Sequence, residues 1–247
     1  MKRCECLRIV PGCKTAVLMV HGIMGKPSYF APFLPLVPED MSLCNLLLDG
    51  HCSTLHDFCH ASMAKWRRQV FDALELLLQA HEKVIVFGYS LGALFAVEAA
   101  IKYPDRVAHI FCTCLPLIMR LPPASKIRVW RIMFDKIQPD TPTERMVGAC
   151  GTASTKKYWK YLGTYPRMAE LAREMHKTKK LMPRLTVPCH NYMGKLDEML
   201  SQRTHKYLAQ FPAVTNTALP HSGHFAIDPQ DLPQVQQDFT KLLEQYR

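Results

Sequence analysis

The sequence predicts an α/β domain built on a mainly parallel β-sheet with helices on both faces. Short, almost continuously apolar runs alternate along the chain with amphipathic helical periods, a pattern typical of parallel strands buried on both sides. The chain has 247 residues, 48% of them hydrophobic, so it is long enough to bury a large core without disulfides or metal. No apolar run approaches the ~18 residues that a membrane-spanning helix needs.

Seven strands and four core helices are predicted in chain order from these runs. The strands cover residues 6–10, 16–20, 43–48, 84–87, 107–114, 187–193 and 214–218. The helices cover residues 64–80, 91–102, 201–210 and 231–246. In the first helix Val70, Leu74 and Leu77 recur at helical spacing, and the charged residues lie mostly on the other side.

Residues 116–185 interrupt this alternation, and we predict that they form a small helical cap, or lid. The cap would be inserted into a core made of residues 1–115 and 186–247. The segment is rich in Pro, Met and aromatic residues, with short helices predicted over 125–136, 143–150 and 166–177. It carries 15 Lys and Arg against 5 Asp and Glu, which accounts for the whole net charge of +10. A solvated face explains this charge; weak contact with anionic lipid or anionic substrates is the alternative.

The run Gly88-Tyr89-Ser90-Leu91-Gly92 stands between a predicted strand and a predicted helix. A sharp strand-to-helix turn crowds the neighbouring backbone, which favours glycine two residues on either side of the serine. Such a turn exposes the hydroxyl and directs the amides of the helix N-terminus toward it. We therefore predict that Ser90 is a nucleophile.

The glycine-rich run from His21 to Gly25 follows the strand at residues 16–20. It is either a plain strand exit or half of an oxyanion hole. In the second interpretation, which we favour, the backbone N–H groups of Ile23 and Leu91 stabilise the negative charge that develops on a substrate carbonyl.

A nucleophilic serine on such a sheet needs an acid and then a histidine later in the chain. His221 and His224 compete after the last strand, and His224 is preferred because the preceding Ser-Gly turn can direct its ring over the sheet. Asp197 and Glu198 compete after the strand at 187–193, and Asp197 is preferred because the longer Glu198 side chain would have to fold back.

At these residues the sequence resembles the α/β-hydrolase superfamily, and within it the small bacterial carboxylesterases and monoacylglycerol lipases. The resemblance covers nearly the whole chain, with two small departures, at Cys52 and Ala93, where the family often has glycine. The motifs that carry it, in the family's order, are His21-Gly22, Leu48-Asp49-Gly50-His51, Trp66, Gly88–Gly92, Leu196-Asp197-Glu198-Met199 and Ser222-Gly223-His224. The resemblance implies an α/β-hydrolase fold with a Ser90/Asp197/His224 triad, an oxyanion hole from Ile23 and Leu91, and a cap at 116–185.

The expected activity is hydrolysis of short- or medium-chain acyl esters or monoacylglycerols through an acyl-enzyme, with no cofactor or metal. Alternatives are a thioesterase, an amidase or an aminopeptidase on the same fold, or a silent hydrolase-like binding module. Met24 and the cap residues Trp130, Ile132, Met133, Tyr158, Trp159 and Met168 are candidates for the walls of an apolar acyl pocket. The alternative for each cap residue is ordinary packing within the cap.

The remaining features argue against other classes of protein. The 10 cysteines lack the paired spacing of a zinc site, so buried thiols in a reducing compartment are expected. No nucleic-acid-binding pattern is present, and the partner expected is a small-molecule ester. The first residues lack the apolar stretch of a signal peptide, so a cytoplasmic protein is expected.

Overall fold

The computed structural model describes residues 4–120 and 162–247. They contain a seven-stranded sheet in the order β1-β3-β2-β4-β5-β6-β7. The strands are β1 (Cys4–Arg8), β2 (Thr15–Val20), β3 (Ser42–Leu46), β4 (Lys83–Tyr89), β5 (Val107–Thr113), β6 (Cys189–Gly194) and β7 (Val214–Leu219). β1 pairs antiparallel with β3, and the other pairings are parallel. The predicted α/β class, with a mainly parallel sheet, flanking helices and a helical insertion, is confirmed.

The helices lie close to where the apolar periodicity predicts them. They are α1 (Leu55–His60), α2 (Met63–Ala80), α3 (Leu91–Lys102), α4 (Tyr165–Leu181), α5 (Arg203–Leu208) and α6 (Leu232–Gln245). Short 3₁₀ turns occur at Pro27–Phe30, Leu34–Leu36 and Met182–Arg184. Within the described ranges, no helix combines the length and apolar character needed to cross a bilayer.

Several element boundaries predicted from the sequence were wrong. β1 ends at Arg8 and not at residue 10, and helix α5 is shorter than the predicted 201–210. Helix α1 was not predicted; it has only six residues, and a reciprocal capping box between Thr54 and Asp57 starts it. The helices predicted over 125–136 and 143–150 lie outside the described residues.

Two hydrophobic layers cover the sheet because successive strand residues point to opposite faces. From β2, Leu18 and Val20 join the layer that also contains residues of α2 and α3. Val17 and Met19 join the other layer, with Phe239 of α6. The central strands are therefore buried on both sides, and their carboxyl ends are held rigidly.

Helix α4 lies inside the predicted cap segment, yet it packs on the helices of the core. Leu171 and Met175 belong to the same apolar layer as α2 and α3. Arg67 of α2 bridges Glu98 of α3, at 3.0 Å, and Glu174 of α4. These contacts fix α4 on the core, and the boundary of a cap at 116–185 stays a prediction.

The start of α3 approaches the end of β2 so closely that only glycine fits at position 92. A Cβ atom on Gly92 would lie 1.9 Å from the carbonyl oxygen of Val20. An alanine in a helix normally stabilises it by up to ~1 kcal/mol over glycine, but here it would force the helix away from the sheet. We expect Gly92→Ala to lower the free energy of unfolding by at least about 2 kcal/mol, measured by urea denaturation.

Gly12→Ala is the matched control. No atom lies within 4 Å of a Cβ placed there, although the φ angle of Gly12 is +81°. It should therefore lose only about 1 kcal/mol, from backbone strain alone. If Gly92→Ala unfolds at the same urea concentration as the wild type, the packing argument for position 92 is wrong.

Candidate active site

Ser90 lies at the turn between β4 and α3 with backbone angles φ 50° and ψ −111°. Such a conformation is strained for a residue with a side chain and persists only where its surroundings hold it. Its N–H donates to the carbonyl of Thr113 at 3.0 Å. On one side, a Cβ on Gly88 would lie 2.6 Å from the backbone of Ala93. The turn is therefore tight and directs the hydroxyl of Ser90 away from the sheet.

The three side chains predicted to act with one another do lie together. The Oγ of Ser90 is 3.2 Å from Nε2 of His224, and Nδ1 of His224 is 2.9 Å from Oδ2 of Asp197. Asp197 follows β6 and His224 follows β7, so both lie at the same edge of the parallel sheet as Ser90. The side chains of His224 and Asp197 are 6% and 0% exposed, so water competes little for these hydrogen bonds.

Asp197 is held as an ionised carboxylate. Burial by itself raises its pKa, but the attraction of His224 and the hydrogen bonds it accepts outweigh this, so its pKa lies below the usual 3.8. The second oxygen, Oδ1, accepts the backbone N–H groups of Met199 at 2.8 Å and Leu200 at 2.6 Å. The carboxylate is thus aligned with the Nδ1–H of the imidazole.

The two competing residues from the sequence occupy other positions. His221 is half exposed and contacts Asp231, with its Nδ1 3.1 Å from Oδ1. Glu198 makes no hydrogen bond with Nδ1 of the His224 ring; its Oε2 accepts the backbone N–H of His224 at 3.0 Å. Burial is the main cause that raises the pKa of Glu198 above 4.5.

The loop with Ile23 lies directly beside Ser90. A Cβ on Gly22 would lie 2.9 Å from the ring of Tyr89, so the loop passes very close to the nucleophile turn. Ile23 lines the same pocket as Ser90. Leu91 is the first residue of α3, so its N–H has no carbonyl one helical turn earlier to accept it. Both amides predicted for an oxyanion hole are therefore near Ser90.

Two buried histidines hold this loop in place. Nε2 of His51 accepts the N–H of Met24 at 3.0 Å, and Nε2 of His21 accepts the N–H of Leu48 at 3.1 Å. An accepting nitrogen must be unprotonated, and burial lowers the pKa of His51 to about 4. It also lowers the pKa of His21 well below 6.5. Both rings therefore stay neutral and accept these bonds at physiological pH.

A pocket of about 390 Å³, including space open to solvent, lies over Ser90. Its walls are mostly apolar: Ile23, Tyr89, Pro116, Met119, Leu171, Met175, Met199, Leu200 and Phe225, with Ser90 and His224. No carboxylate, lysine or arginine lines the part of this pocket that the structure describes. The cavity therefore suits an uncharged, apolar group.

Two of the residues predicted to line an acyl pocket, Met24 and Met168, are described by the structure, and neither lines this cavity. Met24 lies next to the lining residue Ile23, and it packs, like Met168, against the apolar layer of α2 and α3. Trp130, Ile132, Met133, Tyr158 and Trp159 lie outside the described residues. The wall residues Leu171 and Met175 were missed, because their apolar spacing in α4 looks the same whether a helix faces a core or a cavity.

Cys114 was also missed, although it lies beside the predicted triad. Ligand atoms of Cys114, Asp197 and His224 lie within 4.8 Å of one another, the one such group among the described side chains. The imidazole and the carboxylate already share a hydrogen bond. Burial raises the pKa of the Cys114 thiol well above 9.0, which opposes the thiolate that a metal would bind. The group therefore fits a hydrogen-bonded cluster better than a metal site.

Comparison with solved structures gives relatives of this architecture. One of the metagenome-derived lipolytic enzymes LipS and LipT superposes with a TM-score of 0.72 at 18% identity, covering 97% of each chain. The monoacylglycerol lipase of Paleococcus ferrophilus has a TM-score of 0.72 at 15% identity, covering 100% of each chain. An ancestral haloalkane dehalogenase gives 0.66 at 12% identity, covering 100% of this chain and 98% of the other. At these identities the likeness shows a shared fold.

The sequence comparison identifies the family. The profile of the alpha/beta hydrolase family matches residues 17–235, which include all strands from β3 to β7 and the turn at Ser90. The family assignment made from the motifs is therefore confirmed. The chain belongs to the alpha/beta hydrolase family.

Proposed function

We propose that this protein is a serine hydrolase that cleaves uncharged carboxylic esters through an acyl-enzyme on Ser90. The observation that carries the proposal is the hydrogen-bonded chain from Ser90 through His224 to Asp197, with distances of 3.2 and 2.9 Å. A serine hydroxyl becomes an effective nucleophile when a base within hydrogen-bond reach takes its proton. The acid fixes the ring and stabilises its charged form.

The proposed reaction uses the same groups twice. As Oγ of Ser90 attacks the ester carbonyl, Nε2 of His224 takes the hydroxyl proton, and Asp197 stabilises the imidazolium. The N–H groups of Ile23 and Leu91 stabilise the oxyanion. His224 then protonates the leaving alcohol, and the acyl group stays on Ser90. Water, deprotonated by His224, attacks this acyl-enzyme; the bond to Ser90 breaks, His224 returns the proton to Oγ, and the carboxylic acid leaves.

The substrates that we propose are short- or medium-chain acyl esters or monoacylglycerols, and the apolar character of the pocket is the support for this. Its described walls are apolar, and a charged acyl group there would lose its hydration without gaining a partner. Structural neighbours include lipolytic enzymes and a monoacylglycerol lipase, but also a haloalkane dehalogenase. Because one fold carries different chemistries, the argument depends on the residues at the site.

One panel of substrates separates this proposal from its alternatives. The panel contains p-nitrophenyl esters from acetate to palmitate, monoacylglycerols, a thioester and aminoacyl anilides. An aminopeptidase would need a carboxylate to bind the substrate amine, and none lines the described pocket. We expect turnover of the esters and little or none of the anilides. A silent binding module would turn over nothing.

Ser90→Ala should abolish turnover while the fold persists, because the pocket and the oxyanion amides remain and the nucleophile is lost. Loss of a triad residue typically lowers kcat by ~10⁴–10⁶-fold. The measurement is ester hydrolysis together with labelling by a fluorophosphonate probe. The probe should label the wild type and miss Ser90→Ala. Labelling that persists on another serine would contradict the assignment.

Asp197→Asn should lower kcat by ~10⁴-fold, because an amide favours the wrong tautomer of the His224 ring. The pH-independent kcat of purified variants, with circular dichroism as the folding check, measures this. His221→Ala is the control histidine, since its ring contacts Asp231, and it should stay active while His224→Ala does not. Comparable losses in His221→Ala and His224→Ala would contradict the triad.

Met175→Ala should shift the preference toward longer acyl chains, because it removes part of the pocket wall on α4. The ratio of kcat/KM for a long ester to that for acetate should rise about tenfold. Met168→Ala is the matched control, a methionine of the same helix that packs on the core. If both variants keep the wild-type profile of chain length, Met175 does not limit the acyl group.

A further inference from the structure

The pairing of β6 with β7 continues beyond the ends of the two strands. The strands end at the pair Gly194 and Leu219. Past it, the N–H of Lys195 donates to the carbonyl of Leu219 at 2.8 Å, and the N–H of Leu196 donates to the carbonyl of Ser222 at 3.1 Å. Successive backbone hydrogen bonds thus join the loop that carries Asp197 to the loop that carries His224.

Side chains supply the next two bonds of this series. Oε2 of Glu198 accepts the backbone N–H of His224 at 3.0 Å, and Oδ2 of Asp197 lies 2.9 Å from Nδ1 of the same residue. Two adjacent carboxylates therefore hold one histidine, one by its main chain and the other by its ring. The ring position of His224 depends on both contacts, because a side chain can be only as well placed as its backbone.

The opposite side of His224 is also held. Its carbonyl oxygen accepts the hydroxyl of Tyr89 at 3.2 Å and the thiol of Cys114 at 3.5 Å. With Nε2 next to Ser90, every hydrogen-bonding atom of His224 has a partner. Glu198 is the partner of the backbone N–H of His224. His224 lies in a loop, and because loop backbone is usually mobile, this contact restrains its position.

A negative charge on Glu198 does not stabilise the folded state. Burial, and after it the nearby Asp197 carboxylate, raise the pKa of Glu198 above 4.5. A carboxyl whose pKa is higher in the folded than in the unfolded state favours folding when protonated, so its ionised form is a cost at neutral pH. A glutamine could accept the same N–H without this cost. The ionisable groups that face Glu198 are Asp197, His224 and Cys114.

We propose that Glu198 is a positioning residue that fixes the main chain of His224 and places a second negative charge beside its ring. The charge would act when His224 becomes an imidazolium, since the interaction between the two groups is attractive. This inference rests on the proposed role of His224 as the base. It assigns to Glu198 a contribution that is separate from that of Asp197.

Three variants separate the contact from the charge. Glu198→Gln keeps an oxygen within reach of the His224 N–H and removes the charge. Glu198→Asp keeps the charge on a side chain one methylene shorter, which withdraws the oxygen from that N–H. Glu198→Ala removes both. Glu82→Ala, an exposed acid just before β4 at the far end of the sheet, is the control for a general change in net charge.

We expect Glu198→Ala and Glu198→Asp to lower kcat about 10- to 100-fold with little change in KM, because an unpaired N–H lets the loop shift. Glu198→Gln should stay within about tenfold of the wild type. Its profile of kcat/KM against pH should move its acid limb to lower pH by about half a unit, because the imidazolium loses one stabilising charge. Glu82→Ala should match the wild type.

A second measurement does not depend on turnover. Hydrogen exchange of the peptide covering residues 220–226 should be faster in Glu198→Ala than in Glu198→Gln, since only the latter keeps the N–H of His224 bonded. Equal exchange and equal kcat in these two variants would overturn the contact, and an unmoved acid limb in Glu198→Gln would overturn the charge. A wild type that hydrolyses no ester refutes the proposed function instead, whatever the exchange result.

Discussion

The geometry of the site depends on the backbone of one residue, Ser90, whose φ of 50° and ψ of −111° would relax in a freer chain. The surrounding packing prevents this. β4 lies in the middle of the sheet order, and both of its faces are buried. Glycine at 88 and 92 lets the start of α3 contact the backbone of β2 and β4 with no side chain between them. The strain therefore persists because moving Ser90 would disturb three elements at once.

The same edge of the sheet brings together polar groups that are costly to bury, and each of them has a specific partner. His21 and His51 are neutral because burial lowers their pKa; His51 accepts the N–H of Met24 in the loop beside Ser90, and His21, in that loop, accepts the N–H of Leu48. On the other side, Asp197 stays ionised because it faces His224 and two backbone amides. A neutral ring thus holds the residue next to Ile23, and the Asp197 carboxylate faces the ring that would become positive, so each charge would develop where its environment favours it.

The parts that were predictable from sequence are those encoded by local patterns. Apolar strands, amphipathic helices and the Gly88–Gly92 turn each depend on neighbouring residues, and they predicted the sheet, the longer helices and the position of Ser90. The order of the acid and the histidine after Ser90 predicted Asp197 and His224. The contacts of Glu198 and Cys114 with His224 join residues 26 and 110 positions apart, and no spacing rule records them. Composition likewise could not predict how the charged residues of 116–185 would pair. Glu174 in this segment forms an ion pair with Arg67 of α2, a contact between distant parts of the sequence.

The position of α4 connects the wall of the pocket over Ser90 to the stability of the core. Leu171 and Met175 line the pocket over Ser90 and are also buried in the layer shared with α2 and α3. Glu98 draws α4 to the core through Lys177 at 2.8 Å, and Arg67 joins the same network. A wall that moved with a loosely attached lid would give a pocket of variable length. A wall fixed to the core by ion pairs and apolar packing gives the described part of the pocket a defined length, and under the proposed function the side chains on α4 would select acyl groups by size.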